Sequence, residues 1–238
     1  MNFLYKIYSF TIALPLFVLA TIFTSVSVVI FSFLGCPDKP GYFLCKWWSR
    51  LTCALFLLPI HVEGRENIDP NISYVFLANH QGYFDIFLVY GYLGHNFKWM
   101  MKEYLRKIPF VGYACAKSNQ IYVGDTRASM QRTVVQAQQT LRGGMSMVIF
   151  PEGTRSYDGE MNEFKKGAFT LANEIGLPIV PLTINGSFKA FSRKAKSVTC
   201  NPLTLTIHTP VTVEDRKGRP TRVLMQDMWD VIHSALKN

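Results

Sequence analysis

The segment Asn79-His80-Gln81-Gly82-Tyr83-Phe84-Asp85 places an imidazole five residues ahead of a carboxylate. On a continuous helix, five residues leave two side chains about 140° apart. His80 and Asp85 can therefore meet only if His80 lies in a strand-to-helix turn and Asp85 in the first helical turn, a bend that Gly82 eases. Asp85 would then accept a hydrogen bond from one ring nitrogen, fix the tautomer and leave the other nitrogen free as a base. A second group, Phe150-Pro151-Glu152-Gly153-Thr154-Arg155-Ser156, follows an apolar run that reads as a strand. A glycine-containing loop with an arginine suits an anion, because a guanidinium grips phosphate as a fork and loop N–H groups assist. Glu152 either holds Arg155 or binds a substrate hydroxyl, and Lys165 and Lys166 add positive potential.

Two further groups complete the set. In Lys102-Glu103-Tyr104-Leu105-Arg106-Lys107-Ile108-Pro109-Phe110-Val111-Gly112, Lys102 stands at a strand end, where its ammonium can face a carbonyl oxygen or a phosphate. Pro109 and Gly112 read as a turn. In Leu177-Pro178-Ile179-Val180-Pro181-Leu182-Thr183-Ile184-Asn185-Gly186, two prolines bracket a β-branched run, which suggests a strand near an edge or opening that walls the site.

These residues need a scaffold, and the pattern from about Val62 onward supplies one. Strand-like runs at 73–78, 97–101, 120–123, 145–150, 179–184 and 203–208 alternate with helical patterns at 84–93, 128–141, 166–175 and 223–236. In the last helix, Leu224, Met228, Val231 and Ala235 follow the spacing of one buried face. Such alternation predicts an α/β fold, with a mixed, mainly parallel sheet flanked by helices. The expected division is a membrane-associated helical segment over 1–60 and an α/β domain over 61–238.

The first segment is of another kind. No charged residue lies between Lys6 and Asp38, and 10–34 is almost wholly apolar, enough for the roughly 20 residues that a membrane helix needs. Pro15 sits where it can kink that helix. A second apolar patch at 47–60 contains Arg50 and the pair Trp47-Trp48, whose rings suit the membrane interface. With a Pro/Gly-rich turn at 35–41 between the two, the segment reads either as one span followed by an interfacial helix or as a hairpin dipping into one leaflet. Lys39, Lys46 and Arg50 follow the first apolar run while Lys6 alone precedes it, so the α/β domain is expected on the cytoplasmic side of a membrane.

Composition agrees. The 238 residues are 49% apolar and 17% charged, which excludes a disordered chain. Five cysteines without a CxxC pair argue against a disulfide scaffold or zinc ribbon and for reduced thiols in a cytosol-facing protein. The net charge of +9 comes mostly from 95–142 and 189–222, each with eight Lys or Arg against two acids. With no zinc finger, RNP motif or basic helix in the sequence, no nucleic acid is expected. The charge instead points to anionic membrane lipid and phosphorylated substrates.

Together the four groups resemble, in order and approximate spacing, the 1-acylglycerol-3-phosphate acyltransferase (lysophosphatidic acid acyltransferase) family of glycerolipid acyltransferases, over about residues 60–210. NHQGYFD stands for the family's NHxxxxD and KEYLRKIPFVG for its KxxLxxxPxxG. FPEGTRS matches in full, and LPIVPLTING stands for its proline-bracketed strand. One departure follows the third strand, where the family has an aromatic run ending in Asp-Arg. Here Ile121-Tyr122-Val123-Gly124-Asp125-Thr126-Arg127 brings Arg127 into line as a phosphate ligand only across a gap.

The resemblance implies transfer of a fatty acyl group from acyl-CoA or acyl-carrier protein, the co-substrate, to the sn-2 hydroxyl of lysophosphatidic acid, giving phosphatidic acid. It casts His80 as general base oriented by Asp85, and Glu152, Gly153, Thr154 and Arg155 as ligands of the glycerol phosphate. Lys102 or backbone N–H groups would face phosphate or the oxyanion. No metal or cofactor is expected. No Ser or Cys sits in a recognisable nucleophile elbow, so direct transfer is expected rather than an acyl-enzyme. The alternatives are an acyltransferase for another lysolipid or for glycerol 3-phosphate, and a non-catalytic lipid-binding membrane protein on the same fold.

Overall fold

The computed structural model describes residues 3–36, 38–124 and 126–237, the side chains of Lys39, Pro40 and Arg127 excepted. The chain opens with α1 (Phe3–Tyr8), a π-helical turn (Ser9–Ala13), α2 (Leu14–Phe33) and α3 (Lys39–Leu55). β1 (Ile60–Glu63), β2 (Val75–Ala78), α4 (Phe84–Tyr92) and β3 (Phe97–Lys102) follow, and then a 3₁₀ turn (Glu103–Lys107). Next come α5 (Val111–Lys117), β4 (Ile121–Val123), α6 (Arg127–Thr140), β5 (Ser146–Ile149), α7 (Lys166–Ile175) and β6 (Ile179–Asn185). The chain closes with α8 (Ser187–Phe191), β7 (Leu203–Ile207), α9 (Val213–Arg216) and α10 (Thr221–Ser234).

The seven strands form one sheet in the order β1-β7-β6-β2-β5-β3-β4. β6, β2, β5, β3 and β4 run parallel, while β7 is antiparallel to β6 and parallel to β1. The sheet is thus mixed and mainly parallel, as expected. Helices cover both faces, so the central strands bury every residue and read as continuous apolar runs. On one face Phe76, Leu88, Leu182 and Leu205 share a core with Ala13 and Phe56 of the helical hairpin. On the other, Leu77, Ile149, Phe169, Leu171 and Ile232 pack together. The chain leaves β2 through α4 on the first face and leaves β5 through α7 on the second. A crevice therefore opens beyond the carboxyl ends of these neighbouring strands, the usual ligand site of such sheets.

Three expectations need correction. β6 is an interior strand, not one near an edge. Pro181 is tolerated there because its carbonyl accepts from His208 N just past the end of β7, so its missing N–H falls where the β7 ladder has stopped. β1 was not expected at all; its only signal is the alternation of Ile60 and Val62 with His61 and Glu63. The Pro109–Gly112 turn passes directly into α5. Gly112 is required there by contact: a Cβ would stand 2.3 Å from the Arg106 carbonyl oxygen.

The first segment folds as two helices packed against each other, a helical hairpin. α3 begins at Lys39, well before the apolar patch that revealed it, and packs back along α2. Trp48 Nε1 donates to Thr21 Oγ1 at 2.9 Å, and Phe17 stacks on Trp48 with centroids 6.1 Å apart. Pro15 lacks an N–H and crowds the carbonyl one turn back, and the disturbance takes the form of the π-helical turn rather than a break. Among the described residues, Phe3–Phe33 is the one helix long and apolar enough to cross a membrane. Its flank is tied to the sheet body. Arg50 Nε donates to the Gly91 carbonyl at 2.8 Å, and the buried Lys98 donates to Asp38 Oδ1 at 2.6 Å and to the Ser118 carbonyl at 2.7 Å.

Candidate active site

β2 ends at Ala78, and the buried Asn79 hooks its exit to β6. Asn79 donates through Nδ2 to the Ile184 carbonyl at 2.9 Å and accepts the Ile184 N–H at 2.7 Å. His80 follows in the strand-to-helix turn, and Asp85 is the second residue of α4. His80 Nδ1 lies 2.7 Å from Asp85 Oδ2. The same oxygen accepts the N–H groups of Gln81 at 2.7 Å and Gly82 at 2.9 Å. An oxygen that accepts two backbone donors makes Nδ1–H the third donor, which leaves the lone pair on Nε2. Asp85 is fully buried, whereas the His80 side chain keeps 15% exposure. The imidazole stacks on Phe150 at 3.9 Å and 11°, and Phe150 in turn stacks on Trp99 at 5.3 Å and 19°.

Gly82 is needed for space rather than for an unusual backbone angle. A Cβ there would meet the Ser187 carbonyl oxygen and hydroxyl at 2.5 Å. That close approach brings α8 against the His80–Asp85 turn.

Glu152 occupies neither position offered for it. It is almost completely buried, and Oε1 accepts the His80 backbone N–H at 2.6 Å. Oε2 accepts the Asn162 N–H at 2.9 Å and Asn162 Nδ2 at 2.7 Å. Both oxygens are spent inside the protein, so Glu152 supports the turn that carries His80 instead of holding Arg155 or meeting a hydroxyl. Burial pushes its carboxyl above the ordinary 4.5, and the donors from His80 and Asn162 pull part-way back.

The loop 150–165 wraps over this dyad. Ser156 N donates to the His80 carbonyl at 2.8 Å, and Gln81 Nε2 donates to the Gly159 carbonyl at 2.9 Å. Gly153 has φ +69 and lies under Lys165, whose Nζ would stand 3.0 Å from a Cβ there. Thr154 is exposed and makes no hydrogen bond among the described residues. The Arg155 guanidinium lies 3.7 Å from the ring centroid of Tyr83, between His80 and α4. Lys102 stands exposed at the end of β3 on the same rim, without an ion pair among the described residues. The structure thus joins His80, Asp85 and Glu152 into one hydrogen-bonded unit, sets Arg155 beside it, and leaves Lys102 on the rim without a hydrogen bond to that unit. Asp125 and the Arg127 side chain lie outside the described residues.

Asn79, Phe150 and Asn162 join the site although their residue types and spacing point to no chemistry of their own. The first two sit inside the motifs and were legible as neighbours of site residues. Asn162 carries no spacing signal at all. Between the hairpin and the body lies a cavity of about 220 Å³, walled by Leu14 and Phe17 of α2, Phe56, Tyr83, Phe84 and Phe191.

The acyltransferase family model matches residues 59–185, more than half of the chain and every group of the dyad and its loop. The chain belongs to the acyltransferase family. A chloroplastic 1-acyl-sn-glycerol-3-phosphate acyltransferase of Arabidopsis thaliana is 34% identical over 63% of this chain and 42% of its own length. A chloroplastic counterpart from Brassica napus is 30% identical over 73% of this chain and 51% of its own. The match therefore spans about half the length of these relatives. The crystal structure of the 1-acyl-sn-glycerophosphate (LPA) acyltransferase PlsC from Thermotoga maritima superposes with a TM-score of 0.79 and 26% identity. That superposition covers 97% of this acyltransferase and 94% of the other chain, so the hairpin and the sheet are shared together.

Proposed function

We propose that this acyltransferase moves a fatty acyl group from an acyl thioester, acyl-CoA or acyl-carrier protein, to the sn-2 hydroxyl of 1-acylglycerol 3-phosphate, producing phosphatidic acid. The observation that carries the reading is the His80–Asp85 contact at 2.7 Å, with Nδ1 engaged and Nε2 left as the base. Nε2 takes the hydroxyl proton while that oxygen attacks the thioester carbonyl. The tetrahedral oxyanion needs donors, and Lys102 or loop N–H groups supply them. Collapse breaks the C–S bond, and His80 returns its proton to the departing thiolate. Asp85 holds the imidazolium throughout, and Glu152 fixes the backbone that bears it. Arg155, with the Thr154 N–H, grips the acceptor phosphate, while the Gly153 N–H closes the loop on the Phe150 carbonyl at 3.0 Å. The reaction as written uses no metal or cofactor.

The hairpin suits a substrate that lives in lipid. Its outer face bears exposed apolar side chains such as Phe23, Ile30 and Phe33. Its inner face is fastened to α4 and α5, so α2 cannot cross a bilayer without drawing the sheet body in with it. We therefore read it as lying in one leaflet, with the α/β body on the cytoplasmic side, as the basic residues after the first apolar run indicate.

The test uses the full chain, lysophosphatidate and either acyl donor, with the product identified by mass. Phosphatidic acid is expected from the parent protein. His80→Ala should lower turnover by about 10³-fold, with unchanged circular dichroism and vesicle binding. Absence of product with both donors, or activity retained by His80→Ala, overturns the reading.

A further inference from the structure

We propose that the segment from Glu103 to Lys117 is a second lipid-contacting element. In it Tyr104, Ile108, Phe110 and Tyr113 enter the headgroup–acyl boundary of an anionic bilayer, while Lys107 and Lys117 meet its phosphates. The proposal rests on the reading that the hairpin lies in lipid, and extends it to a part of the sheet body.

Four observations converge. Tyr104, Ile108, Phe110 and Tyr113 are 64%, 42%, 58% and 51% exposed, clustered within ten residues. Other exposed apolar residues of the sheet body, such as Ile72, Val135 and Val223, stand singly and need no explanation.

The backbone is built to present this cluster. Phe110 has φ +59 and ψ −59, and Val111 N donates to the Pro109 carbonyl at 2.6 Å. That is a γ-turn of the rarer, strained hand, and a large aromatic occupies its tip. Gly112 then lets the chain close on Arg106 so tightly that no side chain would fit. A strained, tightly closed turn that leaves an aromatic ring in water has no advantage to a soluble surface. It makes sense if the ring has somewhere else to go.

Charge matches the occupant. Glu103 is the one acid in the segment and pairs with Arg106 at 2.6 Å, so Lys107 and Lys117 are without an acidic partner among the described residues. Aromatic rings set among such lysines are the chemistry of an interface with anionic lipid.

Position links the patch to the hairpin. Lys117 Nζ lies 4.9 Å from the ring centroid of Phe33, at the end of α2, and 5.6 Å from that of Tyr113. The exposed apolar surface of α2 therefore continues into the segment. The segment itself leaves from the end of β3, on the rim that carries the dyad. Two separated contacts, the hairpin and this loop, would fix the tilt of the body and turn that rim toward the lipid.

The test compares the full-length parent with Phe110→Trp in vesicles of phosphatidylcholine and phosphatidylglycerol, with and without lipid brominated at a shallow acyl position. Trp47, 51% exposed on α3, reports the hairpin in the parent. The expected result is quenching of the parent and a clear increment of blue-shifted, quenchable emission in the variant, shielded from aqueous iodide. Tyr104→Trp repeats the measurement if Phe110→Trp fails to fold. Quenching of the parent without an increment in either variant overturns this proposal and leaves the hairpin reading standing. Loss of quenching in all three overturns both.

Discussion

The two halves of the candidate site are built differently. On the His80 side almost every polar atom has an internal partner: Nδ1 on Asp85, the backbone N–H on Glu152, the carbonyl on Ser156, and the ring face on Phe150. On the other side the Thr154 and Lys102 side chains are exposed and free of hydrogen bonds among the described residues, and Arg155 rests on the Tyr83 ring. The half proposed to move the proton is thus organised before any substrate arrives, whereas the half proposed to grip phosphate keeps its side-chain donors free of hydrogen bonds among the described residues. A base must hold its tautomer and geometry to within a fraction of an ångström. A phosphate ligand gains most if its charge is not already satisfied.

Substitutions can break this contrast. The largest effect is expected from Asp85→Asn. It removes the carboxylate that three donors share and frees the imidazole to take the wrong tautomer. Turnover should fall by about 10³-fold with little change in KM, read from steady-state kinetics. A change confined to KM would show that the sealed half is not the reacting half. Next, Arg155→Ala should raise KM for the lysophosphatidate acceptor by about tenfold or more, the worth of one charge-assisted contact, with turnover less affected. An unchanged KM would remove Arg155 from the open half.

The smallest effect is one of pH and tests the buried support. Glu152 has a folded-state pKa raised above 4.5, chiefly by burial, so the native state binds its proton more tightly than the unfolded chain does. Its contribution to stability is therefore fully present below 4.5 and is lost as pH rises through the raised folded value. Glu152→Gln cannot titrate. In paired thermal melts taken upward from pH 4.5, the parent should lose stability relative to the variant. A gap that does not change with pH would mean that Glu152 is not held in the buried, desolvated position described.

The hairpin and the sheet body differ in a related way. The body's central strands were legible because they are buried on both faces, and so read as unbroken apolar runs such as Val75–Ala78. α3 was half legible, because only its apolar second half announced itself and its first turns carry Pro40 and Gly41. β1 was too short to stand out, and α5 was masked by Pro109 and Gly112, which usually signal turns. In the site, the meeting of His80 and Asp85 followed from spacing, since no continuous helix brings them together. The position of Glu152 did not, because its partners are the backbone of His80, far away in the chain, and Asn162, which belongs to no motif.

By itself the sequence determined the alternation of strands and helices, the apolar N-terminal segment, and the His–Asp and Arg-bearing loops on which the proposed chemistry turns. These are encoded in residue type and short-range spacing, which periodicity and chain geometry translate directly. Only the tertiary structure decided that β6 lies inside the sheet, that the hairpin shares its core, and that Glu152 faces inward while Arg155 faces out. Each of those depends on which distant segments meet, and burial, not local preference, sets the cost of every alternative.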